Sequence, residues 1–126
     1  MSTMMGPMLS EFRNESATTR RVLERIPGEK LTWKPHPKSM SLGQLAMHLA
    51  LIPGALSRIA ALDQFDVAQA NFSAPQPDDM KMVYAALDES VRHAESYLGG
   101  LTDQRAMATW SMTRGGQEVM SMPRVV

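Results

Sequence analysis

A single histidine is the residue of this chain whose position best suits chemistry. His48 lies in residues 39–50, where apolar side chains recur at the three- and four-residue spacing of an amphipathic helix. Ser41 can accept a hydrogen bond from the backbone of Gln44 while the Gln44 side chain reaches back, and this capping box fixes where the helix begins. On the flank of the apolar face, His48 is either a metal ligand or a hydrogen-bonded packing residue.

The composition restricts the partners that His48 can have in a metal site. The chain contains no cysteine and three histidines, so any further ligands must be histidine, aspartate or glutamate. His93 falls opposite the apolar face of its helix, which predicts a water-exposed position. His36 lies between two prolines in an extended connector, where it either lines an opening or is simply exposed. Three carboxylates are the remaining candidate ligands, none with a convincing spacing: Asp63, Asp66 and Glu95.

The motifs of several common enzyme classes are missing from the sequence. It has no Ser-His-Asp order, no phosphate-binding glycine loop and no pair of histidines on one helix. The glycines at 115–116 lie in a segment too short and too near the end of the chain for a nucleotide-binding loop. No catalytic residue and no organic cofactor site is therefore assigned from the residues.

Three amphipathic helices are predicted to position these residues. The first covers residues 9–26 and ends at Pro27 and the glycine after it. The second runs over residues 42–62, with a kink expected at Pro53. The third is capped by Asp78 and continues to residue 101, and residues 63–77 are predicted to form a loop.

The C-terminal residues are predicted to begin a fourth helix. The glycines at 115–116 mark a turn, and residues 121–123, Ser-Met-Pro, are typical of an N-cap followed by a proline in the first helical turn. Only one turn of this helix would fit before Val126. We therefore expect an all-α fold in a single domain over residues 1–126, with residues 1–8 disordered and an apolar groove where one wall of the bundle is missing.

The overall composition is that of a folded domain of 126 residues, with 44% hydrophobic and 21% charged residues. Basic and acidic residues number 13 each and form no block of like charge, so nucleic acid is an unexpected partner. No signal peptide and no apolar run long enough to span a membrane occurs, and a cytoplasmic location is expected. The 12 methionines either fill the core, which we favour, or form an adaptable binding surface.

Residues 31–50, LTWKPHPKSMSLGQLAMHLA, resemble the DinB-like family. The resemblance extends over most of the chain, because residues 19–27 are similar to the family's first helix, and residues 101–103 with Trp110 are similar to its variable connector. It implies a four-helix bundle in up-down-down-up order, often a homodimer. It also implies a relationship to bacterial thiol-dependent S-transferases and to metal-dependent hydrolases, whose small-molecule substrate the sequence does not identify.

The resemblance also implies a role for His48 as a ligand of a divalent metal ion, zinc or nickel. The family's site uses three histidines, and the first follows a Leu-Ala-x pattern that residues 45–47 match. The other two lie in a His-x-x-x-His arrangement of the fourth helix, for which this sequence has no counterpart. The metal site is therefore expected to be incomplete in this chain, with missing ligands supplied by a second chain, by solvent or by carboxylates.

Two hypotheses from different functional classes follow. The chain is either a metal-binding enzyme of the S-transferase or hydrolase type with an incomplete site, or a non-catalytic helical module that pairs with a second copy through its open groove. A membrane partner is expected in neither case.

Overall fold

The computed structural model describes residues 3–126. Within this range the chain forms three long helices, one short helix and one three-stranded sheet. The helices are α1 (Met5–Leu23), α2 (Leu42–Ala61), α3 (Met80–Gly100) and α4 (Asp103–Met107). The strands are β1 (Gln64–Asp66), β2 (Thr109–Arg114) and β3 (Gln117–Pro123). Among these residues, no helix has both the length and the hydropathy needed to cross a bilayer.

Helix α1 begins earlier than its apolar pattern predicts. It starts at Met5, inside the segment 1–8 that was expected to be disordered; residues 1 and 2 of that segment lie outside the described residues. The Asp103 carboxylate accepts hydrogen bonds from the Met4 backbone N–H at 3.0 Å and from the Thr3 hydroxyl at 2.7 Å. Asp103 thus binds the start of a helix whose own N-cap residue makes no side-chain hydrogen bond.

The predicted capping box at the start of α2 is confirmed. The Ser41 hydroxyl accepts from the Gln44 N–H at 3.0 Å, and the Gln44 side chain accepts from the Ser41 N–H at 2.9 Å. The helix continues through Pro53 to Ala61. Just after this proline, the Gly54 N–H donates to the buried Ser90 hydroxyl of α3 at 2.6 Å, which links the two helices halfway along their length.

The three long helices follow an up-down-down order. Helices α2 and α3 start at the same end, because a Cβ added at Gly43 would lie only 2.9 Å from Cδ of Pro77, which is three residues before α3. Helix α1 runs antiparallel to α3, as two ion pairs between them indicate: Arg20 with Asp88 at 2.8 Å and Arg13 with Glu95 at 3.7 Å. The connector between α2 and α3 therefore returns along the full length of α2.

The core consists of two clusters at the two ends of the helices. The larger cluster joins all three long helices and comprises Leu23, Ala46, Met47, Ala50, Val83 and Leu87. The smaller cluster comprises Met5, Leu101 and Ala106. Met5 and Met47 are buried in these clusters, as expected for methionines that fill the core, whereas others, including Met40 and Met120, are exposed.

The prediction of an all-α bundle with a fourth helix beginning at residues 121–123 is wrong. Strand β2 pairs antiparallel with β3, where Ser121 lies opposite Ser111, and β1 pairs parallel with β2 on its other edge. The turn predicted at the two glycines is present, with φ of 59° at Gly115 and 87° at Gly116. Two residues with positive φ form the tight connection that joins antiparallel strands, so the segment folds back as a hairpin.

Arg124, just after β3, attaches the hairpin to the helices. Its side chain is only 1% exposed and donates to the carbonyl oxygens of Ala60 at 2.6 Å, Leu62 at 2.8 Å and Arg105 at 2.9 Å. It also donates to the Asp63 carboxylate at 2.7 Å. The hairpin therefore closes the C-terminal end of α2, the helix that carries His48.

Candidate functional site

His48 lies at the wall of an apolar groove on the surface of the helices. The ring is half-buried, whereas its neighbours Ala46, Met47 and Ala50 are buried in the core. We call this cavity, of about 310 Å³, the His48 groove. On α2 it is lined by His48, Leu51, Ile52, Ala55 and Leu56, and the opposite wall is formed by residues 71–74.

The opposite wall is a short turn held by its own side chains. The Asn71 carboxamide oxygen accepts from the Ser73 N–H at 3.1 Å and from the Ser73 hydroxyl at 2.8 Å. Phe72 projects from this turn with 54% of its surface exposed, and Ala74 packs against the core. The wall is thus an ordered turn with an aromatic side chain at the mouth of the groove.

Gln76 fastens this wall to the start of α2. Its carboxamide oxygen accepts a hydrogen bond from the Ser41 hydroxyl, and its nitrogen donates to the Leu31 carbonyl oxygen at 3.0 Å. The same carbonyl accepts from the Gly43 N–H at 2.8 Å. The residue that caps α2 therefore also fixes the segment that faces His48, so both walls of the groove share one anchor.

The three histidines differ in their burial, in their hydrogen bonds and in their position relative to the groove. The His48 imidazole has no hydrogen-bond partner among residues 3–126, which leaves its ring nitrogens available to a ligand in the groove. His36 is exposed, and its Nδ1 accepts from the Lys38 N–H at 3.1 Å. His93 is half-buried on α3, where a water-exposed position was predicted, and it does not line the His48 groove.

Asp63, one of the three candidate carboxylate ligands, is bound by two arginines. It pairs with Arg124 at 2.7 Å and with Arg105 at 2.8 Å. The hydrogen bond from Arg124 and then the positive charge of Arg105 lower the pKa of Asp63 below its usual value of 3.8. Its role is to bind these arginines at the C-terminal end of α2.

The other two carboxylates also have structural partners. Asp66 accepts from the backbone N–H groups of Ala68 at 3.0 Å and Gly115 at 3.1 Å, so it holds the β-hairpin turn against the connector. Glu95 pairs with Arg13 of α1 at 3.7 Å. Neither of them lines the His48 groove.

The described part of one chain does not fit the metal centre that the resemblance implies. No group of three or more histidine, cysteine, aspartate or glutamate side chains in residues 3–126 is placed to hold an ion. A catalytic zinc site needs about three protein ligands, and His48 supplies one. The groove therefore offers an imidazole among apolar side chains.

Two residues important for the groove were not found from the sequence. Phe72 is a large apolar residue in a polar connector, a signal that a search for exposed aromatics would have detected. Gln76 carries no such signal, because its two partners lie 35 and 45 residues away. Hydrogen bonds between residues so far apart in sequence cannot be predicted from local sequence patterns.

Comparison with known protein families gives a match over most of the chain. The family model described as the DinB superfamily matches residues 11–126. The curated proteins and the solved structures gave no match. The matched range includes both walls of the groove and the β-hairpin.

Proposed function

The chain belongs to the DinB superfamily, and we propose that it acts through the His48 groove as an enzyme of the S-transferase or hydrolase type whose metal site is incomplete in a single chain. The superfamily is generally metal-associated. The observation that carries the proposal is the imidazole of His48, half-buried at the groove without a protein hydrogen-bond partner in the described range. Its two ring nitrogens are therefore open to solvent or to a ligand in the groove.

The proposal predicts weak metal binding by one chain. With one imidazole and no carboxylate on the groove walls, a divalent ion keeps most of its ligands from solvent. Asp63, Asp66 and Glu95 do not complete the site, since each is bound elsewhere. We therefore propose that His48 supplies one ligand and that the other ligands come from solvent or from a second chain.

Metal titration of the purified protein tests this proposal. Zinc and nickel binding would be measured by calorimetry for the wild type, for His48→Gln and for the matched control His93→Gln, which lies outside the groove. We expect weak binding that His48→Gln reduces and His93→Gln leaves unchanged. One tightly bound ion per chain that is lost in His48→Gln would refute the incomplete site, and an equal effect of the two variants would refute the role of His48.

A second candidate function is a non-catalytic module that pairs with a second copy of the chain. Exposed apolar side chains that line the groove favour it: Leu51 at 36%, Leu56 at 55% and Phe72 at 54% exposure. An apolar surface of this kind on a single chain is typical of an interaction site, and pairing of two identical surfaces is the commonest arrangement of oligomers.

Sedimentation equilibrium distinguishes this second function from the first. If the chain pairs through the groove, Leu51→Lys on the groove wall shifts the equilibrium to the monomer, whereas Val119→Lys, at an exposed position of β3, does not. A wild-type protein that stays monomeric at all concentrations would exclude the module.

A further inference from the structure

We infer that the His48 groove takes an uncharged, predominantly apolar small molecule. This inference rests on the proposed function, because it assumes that the groove is the site through which the protein acts. Its first support is the chemistry of the walls, which consist mainly of aliphatic side chains from α2 and of Phe72. No lysine, arginine, aspartate or glutamate of the described residues lines the groove.

The polar groups of the groove are suited to hydrogen bonds with a neutral ligand. The His48 imidazole is without a protein partner in the described part of the chain, and Asn71 uses its carboxamide oxygen to bind Ser73. An imidazole and a carboxamide N–H group therefore remain for the ligand. A carboxylate, sulfonate or phosphate would lose water here without gaining an opposite charge, which is unfavourable.

The size and rigidity of the groove support a small molecule as the ligand. A cavity of about 310 Å³ is close to the lower end of the range for small-molecule sites. Its loop wall is already fastened to the start of α2 through Gln76, so a ligand need not order that wall on binding. A neutral molecule of two or three fused or linked rings matches these dimensions.

Two dyes that share one ring system and differ in charge test this inference. N-phenylnaphthylamine is neutral, and anilinonaphthalene sulfonate adds one sulfonate to the same skeleton. Fluorescence titration of the metal-free wild type should give a Kd about tenfold or more lower for the neutral dye, because the sulfonate finds no counter-charge. Equal affinities, or no binding of the neutral dye, would overturn the inference.

A pair of lysine variants locates the bound dye. Leu56→Lys places a positive charge on the groove wall, whereas Leu62→Lys places it at an exposed position beyond the end of α2. Leu56→Lys should weaken binding of the neutral dye and strengthen binding of the sulfonate dye, so that the preference for the neutral dye is lost. Leu62→Lys should keep that preference. The same response in both variants would show that the dyes bind elsewhere and would overturn the inference.

Different results would overturn the metal-binding proposal and the inference on the ligand. A strong preference for the neutral dye without His48-dependent metal binding would overturn only the metal proposal. His48-dependent metal binding without that preference would overturn only the ligand class.

Discussion

The Arg124 guanidinium donates from Nε to the carbonyl oxygen of Ala60, at a distance of 2.6 Å. This contact is one of four on successive carbonyls at the end of α2. Trp110 donates to Ile59 at 3.1 Å, Arg105 to Ala61 at 3.2 Å and Arg124 again to Leu62 at 2.8 Å. Because the last carbonyls of a helix have no partner within it, β2, α4 and Arg124 together complete the hydrogen bonding of α2.

Removal of the Arg124 side chain should destabilise the whole domain. Arg124→Met keeps the aliphatic part but leaves the carbonyls of Ala60, Leu62 and Arg105 without these donors. We expect a loss of about 2–4 kcal/mol in the free energy of unfolding, measured by urea denaturation. The control is Arg25→Met at an exposed position after α1, which should change stability by less than about 0.5 kcal/mol. Equal stability of both variants would contradict the capping role.

The ion pairs of Asp63 predict a pH dependence with a defined sign. Arg124 and Arg105 lower the pKa of Asp63 in the folded protein below the usual 3.8, so the carboxylate stabilises the fold above that pH. This contribution is lost as the pH falls through the lowered pKa. Wild type should therefore exceed Asp63→Asn in Tm at neutral pH, and the difference should shrink below pH 3.8. Glu118→Gln, at an exposed position of β3, is the matched control for removal of a surface carboxylate. If the difference between wild type and Asp63→Asn stays unchanged in acid, the charge of Asp63 does not have this role.

The failure of the all-α prediction has a physical cause. The Ser-Met-Pro sequence at residues 121–123 satisfies the local rules for a helix start. A two-glycine turn between short segments is also a hairpin signal, and here the hairpin forms. The buried Arg124 side chain then secures it against α2 through contacts about 60 residues apart in sequence, which local rules do not detect.

The glycines of the hairpin and of α3 should respond in opposite ways to alanine. Gly116 has φ of 87°, a conformation that is unfavourable for any residue with a Cβ, so Gly116→Ala should cost about 1 kcal/mol or more of unfolding free energy. Gly99 lies inside α3, where a Cβ would be 4.0 Å from Leu9 Cδ2, so Gly99→Ala should stabilise by about 0.5–1 kcal/mol. Urea denaturation gives both values. A Gly116→Ala variant as stable as the wild type would contradict the turn geometry, and a destabilised Gly99→Ala would contradict only the prediction for α3.

The candidate site was predictable where local rules define it. The Ser41 capping box and the helical spacing fix the start of α2 and the face on which His48 lies, and both depend on residues close in sequence. The opposite wall at residues 71–74 depends on the return of a long connector along α2. No short sequence pattern in that connector specifies this path, so the groove could not be predicted from the sequence.

Gln76→Ala should loosen the groove wall without unfolding the domain. The variant removes the hydrogen bonds of Gln76 to the Ser41 hydroxyl and to the Leu31 carbonyl, so we expect a loss of about 1–3 kcal/mol in the free energy of unfolding. The local effect is more specific: hydrogen exchange in residues 71–77 should accelerate more than in α1, because Gln76 is what ties this segment to α2. Gln69→Ala, at an exposed position of the same connector, is the matched control and should leave the exchange rates unchanged. If Gln76→Ala accelerates exchange equally throughout the protein, the residue contributes only to global stability and does not hold the wall that faces His48.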